Sequence, residues 1–158
     1  MSLQFGASTA LTITAGSLAS AGNRSSAAVT TGTTQNVIDI LLTVNCLTTA
    51  TAASGNKSIV VYGYVSEDGS VYSGNSGTVD NVDGTDKALT AIGSPTNLQL
   101  IGRIYASQGA AAVTLHEVFS LRQAFGFIPK KWGIVLYNDQ GTALGATVTA
   151  SYTEQYYS

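Results

Sequence analysis

Charge is what this chain has least of. Lys, Arg, Asp and Glu make up 10% of its 158 residues, against about 25% in an ordinary soluble domain. Seven basic and nine acidic side chains leave a formal net charge of −2, with no clustered basic surface for a phosphate backbone, so no nucleic-acid partner is expected. The single cysteine, Cys46, excludes an intramolecular disulfide and any multi-cysteine metal cluster; in its hydrophobic segment it reads as a small core residue. No apolar run approaches the roughly 18 residues that span a bilayer, and no basic residue precedes Arg24 to mark a secretory signal. No membrane association is expected, and folding in a cytoplasm is. A sustained helical pattern of ten residues or more is also missing; the one candidate for a helical turn is Asp86-Lys-Ala-Leu-Thr-Ala91. A surface so poor in charge is a solubility liability for a free monomer, and suits a protein whose surface other subunits cover. A secreted or adhesive β-protein is the alternative on composition alone.

What the chain has is alternation. Ile38, Ile40, Leu42, Val44 and Cys46 recur every second residue, as strands require. Lys57–Ser66 carries Ile59, Val61 and Val65 on one face and Val60, Tyr62 and Tyr64 on the other, which predicts a central strand or one at an interface. Leu98–Tyr105, then Val113, Leu115, Phe119 and Leu121, and finally Trp132–Tyr137 and Ala146–Tyr152 continue the pattern. Glu117 interrupts the apolar face of the fourth of these, as a strand end, a bulge or a buried acid. Asn138-Asp-Gln-Gly141 supplies turn chemistry between the last two, with Gly141 free to take positive φ, and predicts a hairpin. Six clear strands, two or three weak ones and no helices predict an all-β protein, a jelly-roll-like β-sandwich with an immunoglobulin-like sandwich as the alternative. The length suits one core.

Residues 1–34 read as an N-terminal arm, and 35–158 as the sandwich domain. From Gly6 onward the arm is almost wholly Ala, Ser, Thr and Gly. It holds two weak strand candidates, Ala10–Thr14 and Ser26–Thr30, able to pair with the main sheet or with a neighbour. Residues 1–22 are therefore expected to be dispensable for folding. Residues 67–97 break the regular strand spacing, with Glu67, Asp68, Asp80, Asp83, Asp86, several glycines and the breaker Pro95. A turn at Asp68-Gly69 and a short strand at Val71-Tyr72 are expected, and the remainder reads as an exposed excursion that contacts a partner or solvent.

The residues that chemistry would use are weakly arranged. Ser76 within Gly74-Asn-Ser-Gly77, with His116 and one of Asp80, Asp83 or Asp86, has the types for a nucleophilic triad but lacks a nucleophile elbow, so no catalytic residue and no enzymatic activity are expected. Asp80-Asn-Val-Asp-Gly-Thr-Asp86 is the best cation candidate, yet Val82 and Gly84 break the ligand pattern of a calcium loop. A solvated turn is favoured there, with no metal and no cofactor. Eight tyrosines and one tryptophan raise a sugar platform. Tyr62, Tyr64, Tyr105, Tyr137 and Tyr152 fall within strands, however, Trp132 reads as a core anchor near Pro129, and only Tyr156 and Tyr157 are expected to be more available.

The segment Pro129-Lys-Lys-Trp132-Gly-Ile-Val-Leu-Tyr-Asn138-Asp-Gln-Gly141-Thr-Ala-Leu144 resembles the C-terminal hairpin of small β-sandwich virion proteins of tailed bacteriophages. The likeness extends to Arg24-Ser-Ser and to Ile59–Tyr72 with its Asp68-Gly69 turn. It implies a capsid decoration or cement protein, a jelly roll assembling as a homotrimer on the major capsid protein. Its place would then be the capsid surface of the virion, after synthesis in the host cytoplasm. A tail- or fibre-associated module that binds host glycans is the alternative function.

Overall fold

The two longest alternating segments form the spine of the molecule. In the computed structural model, which describes residues 1–33, 36–54, 56–94, 96–106 and 111–158, ten strands and one short helix follow one another. They are β1 (Leu3–Phe5), β2 (Thr9–Leu11), β3 (Asn23–Ser25), β4 (Val29–Thr30), β5 (Asn36–Thr48), β6 (Ser58–Ser66), β7 (Gln99–Tyr105), β8 (Thr114–Ser120), α1 (Leu121–Phe125), β9 (Lys131–Asp139) and β10 (Leu144–Tyr157). All pairings are antiparallel and make two five-stranded sheets. The first runs β1-β10-β5-β8 with β2 also on β10; the second runs β3-β9-β6-β7 with β4 also on β9.

Because β1 and β2 share one edge position and β3 and β4 another, the chain has eight strand positions. Numbered so, the sheets read 1-8-3-6 and 2-7-4-5. That is the order produced by wrapping one long hairpin, with arms 1-2-3-4 and 8-7-6-5, around a common core, and it is a jelly roll. Its core lies between the sheets: Ile40, Leu42, Val44 and Cys46 of β5 face Ile59 and Val61 of β6 and Trp132, Ile134 and Leu136 of β9. Burial pushes the Cys46 thiol up to about 12, which leaves it inert.

Four expectations change against this fold. The N-terminal segment does form weak strands, but they are built into both sheets: Leu11 pairs with Ala150 of β10, Ser25 with Val135 of β9, and Leu11 and Ala15 are buried in the core. The boundary at 34/35, whose two residues lie outside the described ones, does not separate two packing units. Small side chains explain the difference, since Ala, Ser and Thr fit a crowded sheet edge as readily as a solvated tail.

Second, Asn138–Gly141 is a turn but not a hairpin. Gly141 takes φ +82°, yet β9 and β10 lie in different sheets, so the turn carries the chain across the sandwich. Asn138, fully buried, holds it: its Nδ2 reaches the carbonyls of Leu18 at 2.9 Å, Ala19 at 3.1 Å and Thr142 at 2.8 Å. Replacing Asn138 with Ala removes all three bonds at once, each worth about 0.5–1.5 kcal/mol net, while the Leu18 and Ala19 carbonyls keep the N–H groups of Leu144 and Gly22 at 2.9 Å. A loss of about 2–4 kcal/mol is expected from Asn138→Ala, read as a lower urea midpoint.

Third, the helix is not at Asp86–Ala91, which is irregular, but at Leu121–Phe125. Ser120 caps it by accepting from the Gln123 N–H, and Gly126 closes it at φ +79°. The Ser-x-x-Gln spacing and the following glycine are legible helix-end signals, masked because buried Leu121 continues the alternation of β8. Fourth, Asp68-Gly69 forms the expected turn, with Gly69 at φ +77°, but Val71-Tyr72 is no strand; Ser73 alone bonds back to the Val65 carbonyl at 2.8 Å. Pro95 lies outside the described residues.

Candidate interaction surface

The two outer faces of the sandwich differ, and the difference comes from residues 67–98. This excursion is not a free loop. It lies over the outer face of the second sheet, where Tyr72, Val82, Leu89 and Leu98 bury themselves against Tyr64 of β6 and Val135 of β9. Both faces of β6 are therefore covered, which accounts for its two apolar sides. Tyr64 is central: its ring meets Tyr72 edge-on at 5.6 Å, its hydroxyl donates to the Ser26 carbonyl at 2.6 Å, and burial pushes its pKa up. It lies so close over Gly133 that a Cβ there would sit 2.2 Å from its Oη.

Carboxylates pin the excursion down. Asp80, almost fully buried, accepts from the Gly93 N–H at 2.7 Å and the Thr96 hydroxyl at 2.9 Å. Asp83 pairs with Lys87 at 2.6 Å and accepts from Thr85, and Asp86 pairs with Arg24 at 2.6 Å and accepts from Thr14. The three acids of the calcium candidate thus turn to separate partners within the chain. Among the described residues no group of three His, Cys, Asp or Glu side chains could hold a metal ion.

Burial alone would raise the carboxyls of Asp83 and Asp86, but Lys87 and Thr85 on the one, and Arg24 and Thr14 on the other, outweigh it and hold both below the usual carboxylate range. A depressed folded pKa adds stability that is complete above the unfolded value of about 3.9 and is lost as pH falls through the folded one. The thermal midpoint is accordingly expected to stay level from neutrality to about pH 5 and to drop below about pH 4. Circular dichroism melts across that range check it, and Asp86→Asn should flatten the drop.

The residues of the triad candidate are not brought together. Ser76 donates to the Val79 carbonyl at 2.6 Å within the excursion over the second sheet. His116 lies on the outer face of the first sheet, its Nδ1 2.6 Å from Asn45 Oδ1. Trp132 is fully buried, packed edge-on against Tyr152 at 5.2 Å, as a core anchor should be. Tyr156, expected at a loose tail, is half-buried in β10 and paired through Gln4 of β1; Tyr157 beside it is exposed. Glu117 is neither buried nor at a bulge. It sits on the core side of β8, which is an edge strand and leaves it exposed. An inward-pointing charge at a sheet edge hinders unwanted pairing.

The first sheet is bare on its outer side. There the residues alternating with the buried set of β5 form cross-strand rows: Thr153, Leu41 and Ser120; Ser151, Thr43 and Val118; Thr149, Asn45 and His116. No Lys, Arg, Asp or Glu lies in these rows, and exposed Val118, Phe5, Leu3 and Tyr157 add apolar area on the same sheet. No segment of the described chain packs over it.

No protein-family model, curated protein or solved structure matches this chain. No helix among the described residues is long and apolar enough to cross a membrane.

Proposed function

We propose that this chain is a non-enzymatic structural protein of a tailed-bacteriophage virion, a decoration or cement protein that binds the major capsid protein and stabilises the shell as a homotrimer. The observation that carries this reading is the contrast between the two faces. The chain covers one sheet with its own excursion and leaves the other with central rows of Thr, Ser, Asn, Leu, Val and His side chains that carry no formal charge, with Asp39 at one end of them. Such a surface desolvates without stranding a charge, which suits contact between subunits.

In this mechanism the bare face of the first sheet joins copies of the chain, and loops at the ends of the sandwich touch adjacent capsid subunits. A protein that binds only the assembled shell shifts the equilibrium toward that shell by mass action. Joining three copies raises the effective concentration of each contact. Sedimentation of the purified chain should give a trimer at micromolar concentration, and Thr43→Arg, which places a charge in the centre of the face, should give a monomer that still melts cooperatively, at a temperature lowered by the lost association. A wild-type monomer would refute the trimer. Electron microscopy of the parent particle should place the protein on the shell; density on the tail would refute decoration in favour of a glycan-binding module.

A further inference from the structure

Of the carboxylates that face inward with no cation beside them, Asp80 is held by two hydrogen bonds and Glu117 is exposed at a sheet edge, while Glu154 lines a cleft. Glu154 lies opposite Ile40 of β5, on the core side of β10, half-buried where the two sheets part. Its Oε1 accepts the Gly32 N–H at 2.8 Å, and its Oε2 has no hydrogen-bond partner among the described residues. The ion pairs among those residues are Arg24 with Asp86 and Lys87 with Asp83, so none neutralises Glu154. The carboxylate is still reached by solvent and carries no ion pair, so its charge is free to be met by a cation from outside the chain.

Its surroundings indicate which kind of cation. Tyr152 and Tyr156, two positions before and after it on the same side of β10, line with it a cleft of about 280 Å³, closed by Thr9 and Thr30. This is at or below the smallest of the roughly 300–1,000 Å³ sites that take drug-sized molecules, and so fits one small group. Two aromatic rings flanking a carboxylate supply both attractions that hold an organic cation, the ring quadrupole and the opposite charge. Two other clefts, one between the excursion and β9 and one between β7 and β8, have no charged lining residue. Gly32 is part of the arrangement, since a Cβ there would stand 2.7 Å from Glu154 Oε2.

We infer that the cleft between Tyr152, Glu154 and Tyr156 binds an alkylammonium group, either the ε-ammonium of a lysine side chain or a small quaternary amine. A neutral sugar would stack on the rings but leave the carboxylate uncompensated, so charge decides between the two. The inference is independent of any role on a capsid.

The deciding comparison uses the unmodified chain. Choline, Nα-acetyl-lysine N-methylamide, the uncharged choline isostere 3,3-dimethylbutan-1-ol and methyl β-glucopyranoside are titrated separately while the ring-proton signals of Tyr152 and Tyr156 are followed by NMR. One or both cations should bind in the millimolar range, at least about tenfold more tightly than the isostere; which cation binds better assigns the source. Glu154→Gln and Tyr156→Ala should each weaken that binding about tenfold, and Gly32→Ala, which keeps every lining group but displaces the carboxylate, should weaken it too. Equal binding of the isostere, preference for the glucoside, or no shift with either cation up to tens of millimolar would overturn the inference. Should a variant unfold, the comparison of charged with uncharged probe on the wild-type chain still decides.

Discussion

Deleting residues 1–22 is expected to abolish the cooperative thermal transition. The deletion removes β1 and β2 from β10, takes Leu11 and Ala15 out of the core, and with them Ile13 and Leu18, which pack against it. It also removes the Leu18 and Ala19 carbonyls that Asn138 Nδ2 reaches and the Gly22 carbonyl that accepts the Asn138 N–H at 2.9 Å. Losing one buried leucine side chain alone costs about 2–5 kcal/mol, and an unpaired buried amide about 1–3 kcal/mol. Together these approach the whole stability of a small domain, about 5–15 kcal/mol. Calorimetry of the truncated chain checks the expectation: a sharp transition near the wild-type temperature would mean that β1 and β2 are accessory. A reading from composition alone expects that second outcome, because a stretch of Ala, Ser, Thr and Gly offers little apolar area. The area it offers is nonetheless placed where the sandwich has no other cover.

Replacing Trp132 by Ala is expected to cost about 3–5 kcal/mol. Its side chain is 0% exposed, in one cluster with Ile134 and Leu136, and its ring stands edge-on to Tyr152 at 87°. Removing it opens a cavity bounded by strands of both sheets, which cannot collapse without shifting both. The indole Nε1 is buried with no hydrogen-bond partner among the described residues, so Trp132→Phe, which keeps an aromatic ring and removes the unpaired donor, should lose clearly less. Denaturant midpoints of the two variants test the pair of statements. A midpoint unchanged by Trp132→Ala would place the ring at the surface, and an equal loss for Phe and Ala would mean that the donor matters more than the ring.

Alternation alone determined the faces of β5, β6 and β9, the burial of Trp132 and the all-β class, because period two assigns side chains to opposite sides of a strand whatever its neighbours are. What lies beside each strand was not legible. Trp132–Tyr137 and Ala146–Tyr152 read as partners in a hairpin, since a turn sequence reports that the chain reverses and not which sheet it enters. The excursion reads as exposed, because its buried members Tyr72, Val82, Leu89 and Leu98 are spaced irregularly and become a set only when laid on Tyr64 and Val135. The N-terminal strands were ambiguous because residues as small as Ala, Ser and Thr carry almost no preference between edge and solvent. Glu154 could be seen in the sequence as one acid in a polar tail. Only the pairing of β10 with β5 turned it inward, between two tyrosines and against Gly32, because register over a long strand is settled by hydrogen bonds to a segment more than a hundred residues away in the chain.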